Sequence, residues 1–375
     1  MQNPIIFSFF SGAGFLDLGF ETSNFKKAYV NELHKPFLDS YIYSRQCLNT
    51  SEPIFGYDNS DISKFIEFKH YQDLKTMVKK GRQISDMVGF IGGPPCPDFS
   101  VGGKNRGKEG DNGKLSAIYI EIICQQKPDF FVFENVKGLW RTYKHRAFYE
   151  EMKQKLHDNG YITTERLINA IEYGVPQDRA RIILIGFRRN LLEDLNFLPH
   201  NDVITEISES SFPWKNHTKY SINQIASIPW PKTRPFQEDS CIPCPEGIPQ
   251  ELTVEYWFRK NDINNHPNSQ QHFSPRAGIK RFLTVDEGDD SKKSYKRLHR
   301  WRYSPTACYG NNEVHLHPYK VRRLSVSETL AIQSLPKSFS LPPDLSLTNS
   351  FKTVGNGVPY LASLGIAKTI LDFLR

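Results

Sequence analysis

The sequence predicts an α/β protein in which a mostly parallel sheet, covered by helices, is joined to a second, smaller region of irregular structure. Three observations carry that prediction. From residue 4 to about 188, short β-rich runs alternate with helical patterns. Past Arg188 the alternation stops, and residues 189 to about 320 are rich in Pro, Asn, Ser and aromatics with weak periodicity. Near the end an amphipathic pattern returns through Leu361, Leu364, Ile366, Ile370 and Leu374, an apolar face that needs a sheet to cover. The expected division is therefore a first domain of residues 1–188 completed by 350–375, and a second of residues 189–349. A chain of 375 residues can build two cores.

Taken in order, residues 4–10 form the first strand, which breaks at Ser11-Gly12-Ala13-Gly14 before a helical period starts at Phe15. Amides exposed in such a turn can face a cofactor, although the Gly12, Gly14, Gly19 spacing is not the dinucleotide fingerprint and also suits any tight strand-to-helix turn. A second strand, 27–30, ends at Asn31-Glu32 and leads into a helix through Phe37, Tyr41 and Arg45. An acid in that place holds ribose hydroxyls in many such sheets, or simply favours the start of its helix. Asp61-Ile62 follows a polar turn and 71–80 is a charged helix. The run 87–91 is a buried strand, Leu115, Ile118 and Ile122 mark one helix face, and 129–133 is a wholly apolar strand that ends in Glu134-Asn135-Val136. A helix through Phe148, Met152 and Leu156, a strand over 161–169 and a last strand over 182–187 complete the unit.

Composition narrows the partners. The net charge of +7 favours an anionic one. The six cysteines, 47, 96, 124, 241, 244 and 308, are scattered and read as reduced thiols rather than a disulfide framework. Cys241 and Cys244 make one CxxC without the second pair that a structural zinc needs, so no metal is expected. No basic-then-apolar leader opens the sequence and no apolar run reaches membrane-spanning length, which points to a soluble, intracellular protein.

The most pointed stretch is Gly93-Pro94-Pro95-Cys96, a thiol at a rigid corner just past a buried strand. A half-buried structural cysteine is the plain alternative. Ahead of it, 101–113 interleaves five glycines with Lys104, Arg106 and Lys108, a loop suited to moving and to meeting anions. A carboxylate at Glu134, ending a buried strand, is costly unless it works or is paired. Phe10, Glu32, Cys96 and Glu134 are all expected just beyond the carboxyl ends of strands, the binding crevice of an open parallel sheet. In the irregular region, residues 292–303 interleave aromatics with Lys296, Arg297, Arg300 and other cations, the pattern of a nucleic-acid contact or of a solvated face.

Together these segments resemble the DNA cytosine-5 methyltransferases. The blocks Phe-Phe-Ser-Gly-Ala-Gly (9–14), Asn-Glu (31–32), Gly-Pro-Pro-Cys (93–96), Glu-Asn-Val (134–136), Gln-Asp-Arg-Ala-Arg (177–181), the run 322–336 and Gly-Asn-Gly-Val-Pro (355–359) occur in the family's order. The resemblance implies a Rossmann-like S-adenosylmethionine-dependent sheet and a target-recognition region within 189–349. By the same token Cys96 is the nucleophile, Glu134 the carboxylate at the pyrimidine, and Arg179 with Arg181 the supports of base and site. It implies that Phe10, Gly12, Gly14, Glu32, Asp61, Ile62, Pro94, Leu115 and Asn356 hold S-adenosylmethionine, and that Ser100, Lys104, Arg106 and Gln177 join Lys296, Arg297 and Arg300 at the DNA. Pro97, Phe15 and Asn112 depart from residues common in the family, Gln, Gly and Arg respectively, and none removes a catalytic group. Double-stranded DNA is the implied partner of a monomeric cytoplasmic enzyme, associated with the nucleoid, that shares its site with a cognate restriction endonuclease without a stable complex. The same chemistry on tRNA, a catalytically silent DNA-binding relative and a nicotinamide-dependent oxidoreductase are the competing readings.

Overall fold

A computed structural model describes residues 3–95, 111–199, 203–275, 279–292, 294–306, 309 and 314–374, leaving out the side chains of Asp111, Asn112 and Lys144. Seven strands make the main sheet: β1 (Ile5–Phe9), β2 (Lys26–Asn31), β3 (Tyr57–Asp58), β4 (Val88–Gly92), β5 (Phe130–Val136), β6 (Tyr161–Asn169) and β7 (Ala180–Arg188). Their order is β3-β2-β1-β4-β5-β7-β6, and only the two pairings that involve β7 are antiparallel. Buried strands covered on both faces have no polar side to show, which is why β1 and β4 are buried along their whole length.

The helices of this half are α1 (Phe15–Thr22), α2 (Lys35–Cys47), α3 (Phe68–Ile84), α4 (Asp111–Gln126), α5 (Lys137–Arg141) and α6 (Tyr143–Asp158). Strand side chains alternate between faces. Phe7, Phe9, Phe90, Phe131 and Phe133 pack under Leu74 and Val78 of α3, Tyr119 and Ile122 of α4, and Phe148, Met152 and Leu156 of α6. Fully burying such a side chain contributes roughly 1.5–3 kcal/mol.

Beyond β7 the elements are short: α7 (Arg189–Asp194), α8 (Ile222–Ser227), α9 (Val254–Lys260), α10 (Ile279–Thr284), β8 (Lys296–Arg297), β9 (His315–Leu316) and α11 (Val326–Ile332). The closing amphipathic segment is two helices rather than one, α12 (Leu347–Asn356) and α13 (Tyr360–Phe373), because Pro359 cannot continue a helix through its own position. As expected, α13 covers the sheet. Ala362, Ile366 and Ile370 join Leu16 and Phe20 of α1 over Ile6, Ile91, Val132, Ile183 and Ile185. Phe212 and Trp214 belong to this same core, and Phe15 and Leu18 of α1 share another with Trp257, Leu330, Leu335, Phe339, Phe351 and Val354. The region past residue 188 therefore packs directly on the sheet unit at both of its ends.

Candidate active site

Strand register alone brings Phe10, Glu32 and Glu134 to one edge of the sheet. Asn31, Phe9, Gly92 and Phe133 stand in one row across β2, β1, β4 and β5. The residues that follow them are Glu32, Phe10, Gly93 and Glu134. Glu134 is still within β5, opposite Ile183 of β7, and not beyond the strand end as the sequence suggested. The reason is that β7 runs antiparallel and keeps pairing with β5 as far as Val136, opposite Arg181.

That reversal brings the start of β7 to the carboxylate. Arg181 Nε lies 2.9 Å from Glu134 Oε1, with both side chains largely buried. Burial pushes the Glu134 carboxyl above its usual range, while Arg181 and then Arg179 pull it back. Its other oxygen lies over Gly93, where an added Cβ would stand 2.7 Å from Glu134 Oε2 and would push the carboxylate from its place. Arg179 is 1% exposed and donates from Nη2 to the Gly355 carbonyl at 2.8 Å. Gly355 precedes Asn356, the exposed last residue of α12. Arginine 179 thus ties the helix carrying one expected cofactor residue to the neighbourhood of Glu134. Asn169, which the sequence did not single out, sets this turn: its Oδ1 accepts from the Arg179 amide at 2.9 Å and its Nδ2 donates to Asp178 at 2.6 Å.

A second cluster forms at the ends of β1 and β2. Phe10 adopts φ +53° and sets its ring edge-on to Tyr119 of α4, and Leu115 packs against the same core. Glu32 accepts from the Gly12 amide at 2.9 Å and from the His34 amide at 2.7 Å, and burial raises its carboxyl too. Around Gly12, at φ +56°, a Cβ would meet nothing within 4 Å, so the turn opens onto free space. Gly14 is the reverse case, with φ +76° and a would-be Cβ 2.6 Å from Arg45. Arg45 donates to the Gly14 carbonyl at 2.6 Å and pairs with Glu21, which also takes Lys27 at 2.8 Å, while Tyr41 donates to Asp17 at 3.0 Å. A buried ionic network therefore backs the glycine turn, and its one visible trace in sequence is a cation at the helical interval 37, 41, 45. Ile62 is buried, whereas Asp61 is exposed and caps the turn after it by accepting from the Ser63 amide at 2.8 Å. Pro94 is buried beside this edge.

Cys96, Ser100, Lys104 and Arg106 lie outside the described residues; Pro95 is the last residue before them. The remaining expected DNA contacts require correction. Arg297 is fully buried, donating to the carbonyls of Val285 at 2.7 Å, His317 at 2.5 Å and Lys320 at 3.2 Å, and it stacks on Phe236. Arg300 is 2% exposed and grips Glu287 through Nε at 2.8 Å and Nη2 at 2.9 Å. A guanidinium enclosed in this way holds loops together and presents no charge to a phosphate. Gln177 is buried as well, and its backbone bridges to Ser304. Of the three cations expected at the DNA in that run, Lys296 alone stays partly exposed.

The model of the C-5 cytosine-specific DNA methylase family matches residues 5–372. The chain belongs to that family. Among relatives of this C-5 cytosine methylase, Type II methyltransferase M.NmeDI of Neisseria meningitidis serogroup C is 55% identical over 374 residues, covering 100% of this chain and 85% of the relative. Type II methyltransferase M.FnuDI of Fusobacterium nucleatum is 29% identical over 98% of this chain and 94% of its own. Among solved structures, Entamoeba histolytica methyltransferase EhMeth superposes with a TM-score of 0.60 at 13% identity, covering 100% of this chain and 99% of the other, a likeness of fold. This chain is thus a DNA cytosine-5 methyltransferase of the Type II restriction–modification kind, in a family that uses S-adenosylmethionine.

Proposed function

We propose that the protein methylates carbon 5 of a cytosine flipped out of duplex DNA, through a covalent adduct with Cys96, and so protects that DNA from a cognate endonuclease. The observation that carries this reading is the buried Glu134, gripped by Arg181 and laid over Gly93, three residues before the cysteine. Addition of the Cys96 thiolate to carbon 6 makes the ring an enamine with a nucleophilic carbon 5. Glu134, its proton held tightly by burial, is suited to hydrogen-bond ring nitrogen 3 and the amino group as charge develops there. Arg181 keeps that carboxyl in place, and Arg179 keeps the turn that carries it. Once carbon 5 has taken the methyl group, loss of its proton to a base restores the double bond and expels the Cys96 thiolate.

The open space at Gly12, the Glu32 carboxyl beside it and the half-buried Phe10 ring fit a nucleoside-bearing group, with Ile62, Leu115 and Asn356 around the same edge. When bound there, S-adenosylmethionine supplies an electrophilic methyl group. A base stacked in a duplex cannot reach this edge, so flipping belongs to the reading; of the loop expected over 98–113, residues 111–113 begin α4 and the rest lies outside the described residues. Residues 189–349 are its recognition region, and a monomer in the cytoplasm at the nucleoid is the working form.

Cys96→Ser is the test. A hydroxyl offers far less anion than a thiol, so methyl transfer to DNA is expected to vanish while cofactor and duplex still bind; near-normal turnover would refute the adduct. Protection of the host DNA from restriction digestion, lost in the same variant, checks the biological role.

A further inference from the structure

The chain leaves the catalytic strand through a cationic surface that neither the family match nor the site described above uses. Between Lys137 and Tyr149 the sequence carries Lys137, Arg141, Lys144 and Arg146 and no acid. Helix α5 starts directly after Val136, the residue opposite Arg181, so it begins within one turn of Glu134. Its inner side is settled by Leu139, fully buried, and by Trp140, which packs under the Arg146 guanidinium and donates to Glu165. Lys137 and Arg141, four residues apart, share a helix face. Arg141 is exposed, and neither it nor Lys137 has an acidic partner among the described residues. The neighbouring acids are already taken: Glu165 and Glu150 both pair with Arg146 and Lys153, and Glu206 with Lys153. Tyr143, which opens α6, stands 92% exposed beside them.

We propose that Lys137 and Arg141 form a phosphate-binding ledge for the DNA strand whose base reaches Glu134, with Tyr143 as its aromatic rim. The inference rests on the proposed reading of the active site and adds a surface to it. Five helical residues span about 7.5 Å, so the two cations lie within reach of the backbone on either side of a nucleotide drawn toward β5. Uncompensated charge placed there is held without an ion pair to break, and each phosphate contact releases counterions. The ledge carries no base-reading groups, so it acts alike on all sequences.

The experiment measures affinity for a labelled duplex, drawn from DNA that the parental protein methylates, as a function of salt. Each lost contact removes about 0.9 from the slope of log affinity against log salt. Arg141→Ala is expected to lower the slope by about 0.9 and Lys137→Ala with Arg141→Ala by about 1.8. Arg141→Lys and Tyr143→Ala, which keep the charge, retain the parental slope. Cofactor affinity, measured by calorimetry on the same variants, is expected to stay unchanged and reports that the sheet is intact. A double variant with the parental slope, from a parental protein that does methylate DNA, overturns the ledge alone. A parental protein that neither binds nor methylates DNA overturns the proposed function and the ledge with it.

Discussion

Glu134 shows how a single carboxyl is kept buried and still able to take up a proton. Moving an ionised carboxylate out of water is expensive, and the attraction of Arg181 and Arg179 returns part of that without cancelling it, so the group keeps a raised proton affinity. Glu134→Gln retains the shape and loses the ability to share a proton with the ring. Methyl transfer is expected to fall by about 10²–10⁴-fold, read in a single-turnover assay with DNA and cofactor saturating, while duplex affinity changes little. Glu32 plays a different part. Its carboxyl is engaged by two backbone amides and yet borders the open turn at Gly12. Glu32→Ala is expected to weaken S-adenosylmethionine by about 1.5–3 kcal/mol in calorimetry with cofactor alone; an unchanged affinity would leave Glu32 as a turn-bracing residue only.

At the scale of elements, α1 is held against the glycine turn by charges that are invisible as such in the sequence. Asp17 is 1% exposed, faces Tyr41, Arg45 and Glu21, and burial raises its carboxyl from 3.8 to about 6. A folded state that binds the proton more tightly is favoured at low pH. The contribution is fully present below about 3.8 and is lost as the pH rises through about 6. Asp17→Asn keeps an acceptor for Tyr41 and removes this dependence. The variant is therefore expected to gain stability relative to the parent on going from pH 4 to pH 8, by about 2 kcal/mol, in urea unfolding at both pH values. A difference that does not change with pH would show that Asp17 stays ionised throughout. The strands and their glycine- and acid-bearing ends were legible in sequence because periodicity and turn residues are local signals. The two-residue β3 was not, since it exists only by pairing with β2. Arg45 read simply as one more position on a helix face, because its partners Gly14 and Glu21 lie more than 20 residues away.

On the scale of the whole molecule, the basic and aromatic run at 292–303 marks the limit of reading charge as surface. Composition counts guanidiniums but cannot tell whether carbonyls 12 to 23 residues away will enclose them, as they do Arg297. Instead of clamping DNA, Arg297 and Arg300 fasten the irregular region together. Arg300→Ala leaves Glu287 buried and unpaired and is expected to destabilise the protein by about 3–5 kcal/mol in thermal melts, with no change in the salt slope of duplex binding for the fraction that remains folded. A lowered slope at full stability would return Arg300 to the DNA interface.

The packing of α13 on α1 also has a temporal side. Ser363 Oγ donates to the Leu16 carbonyl across 347 residues of chain, and α13 supplies much of the apolar cover on that side of the sheet. A ribosome adding roughly 5–20 residues per second needs on the order of 20–70 s to make the intervening chain. Until α13 has been made, Leu16 and Phe20 lack the apolar cover that Ala362, Ile366 and Ile370 bring.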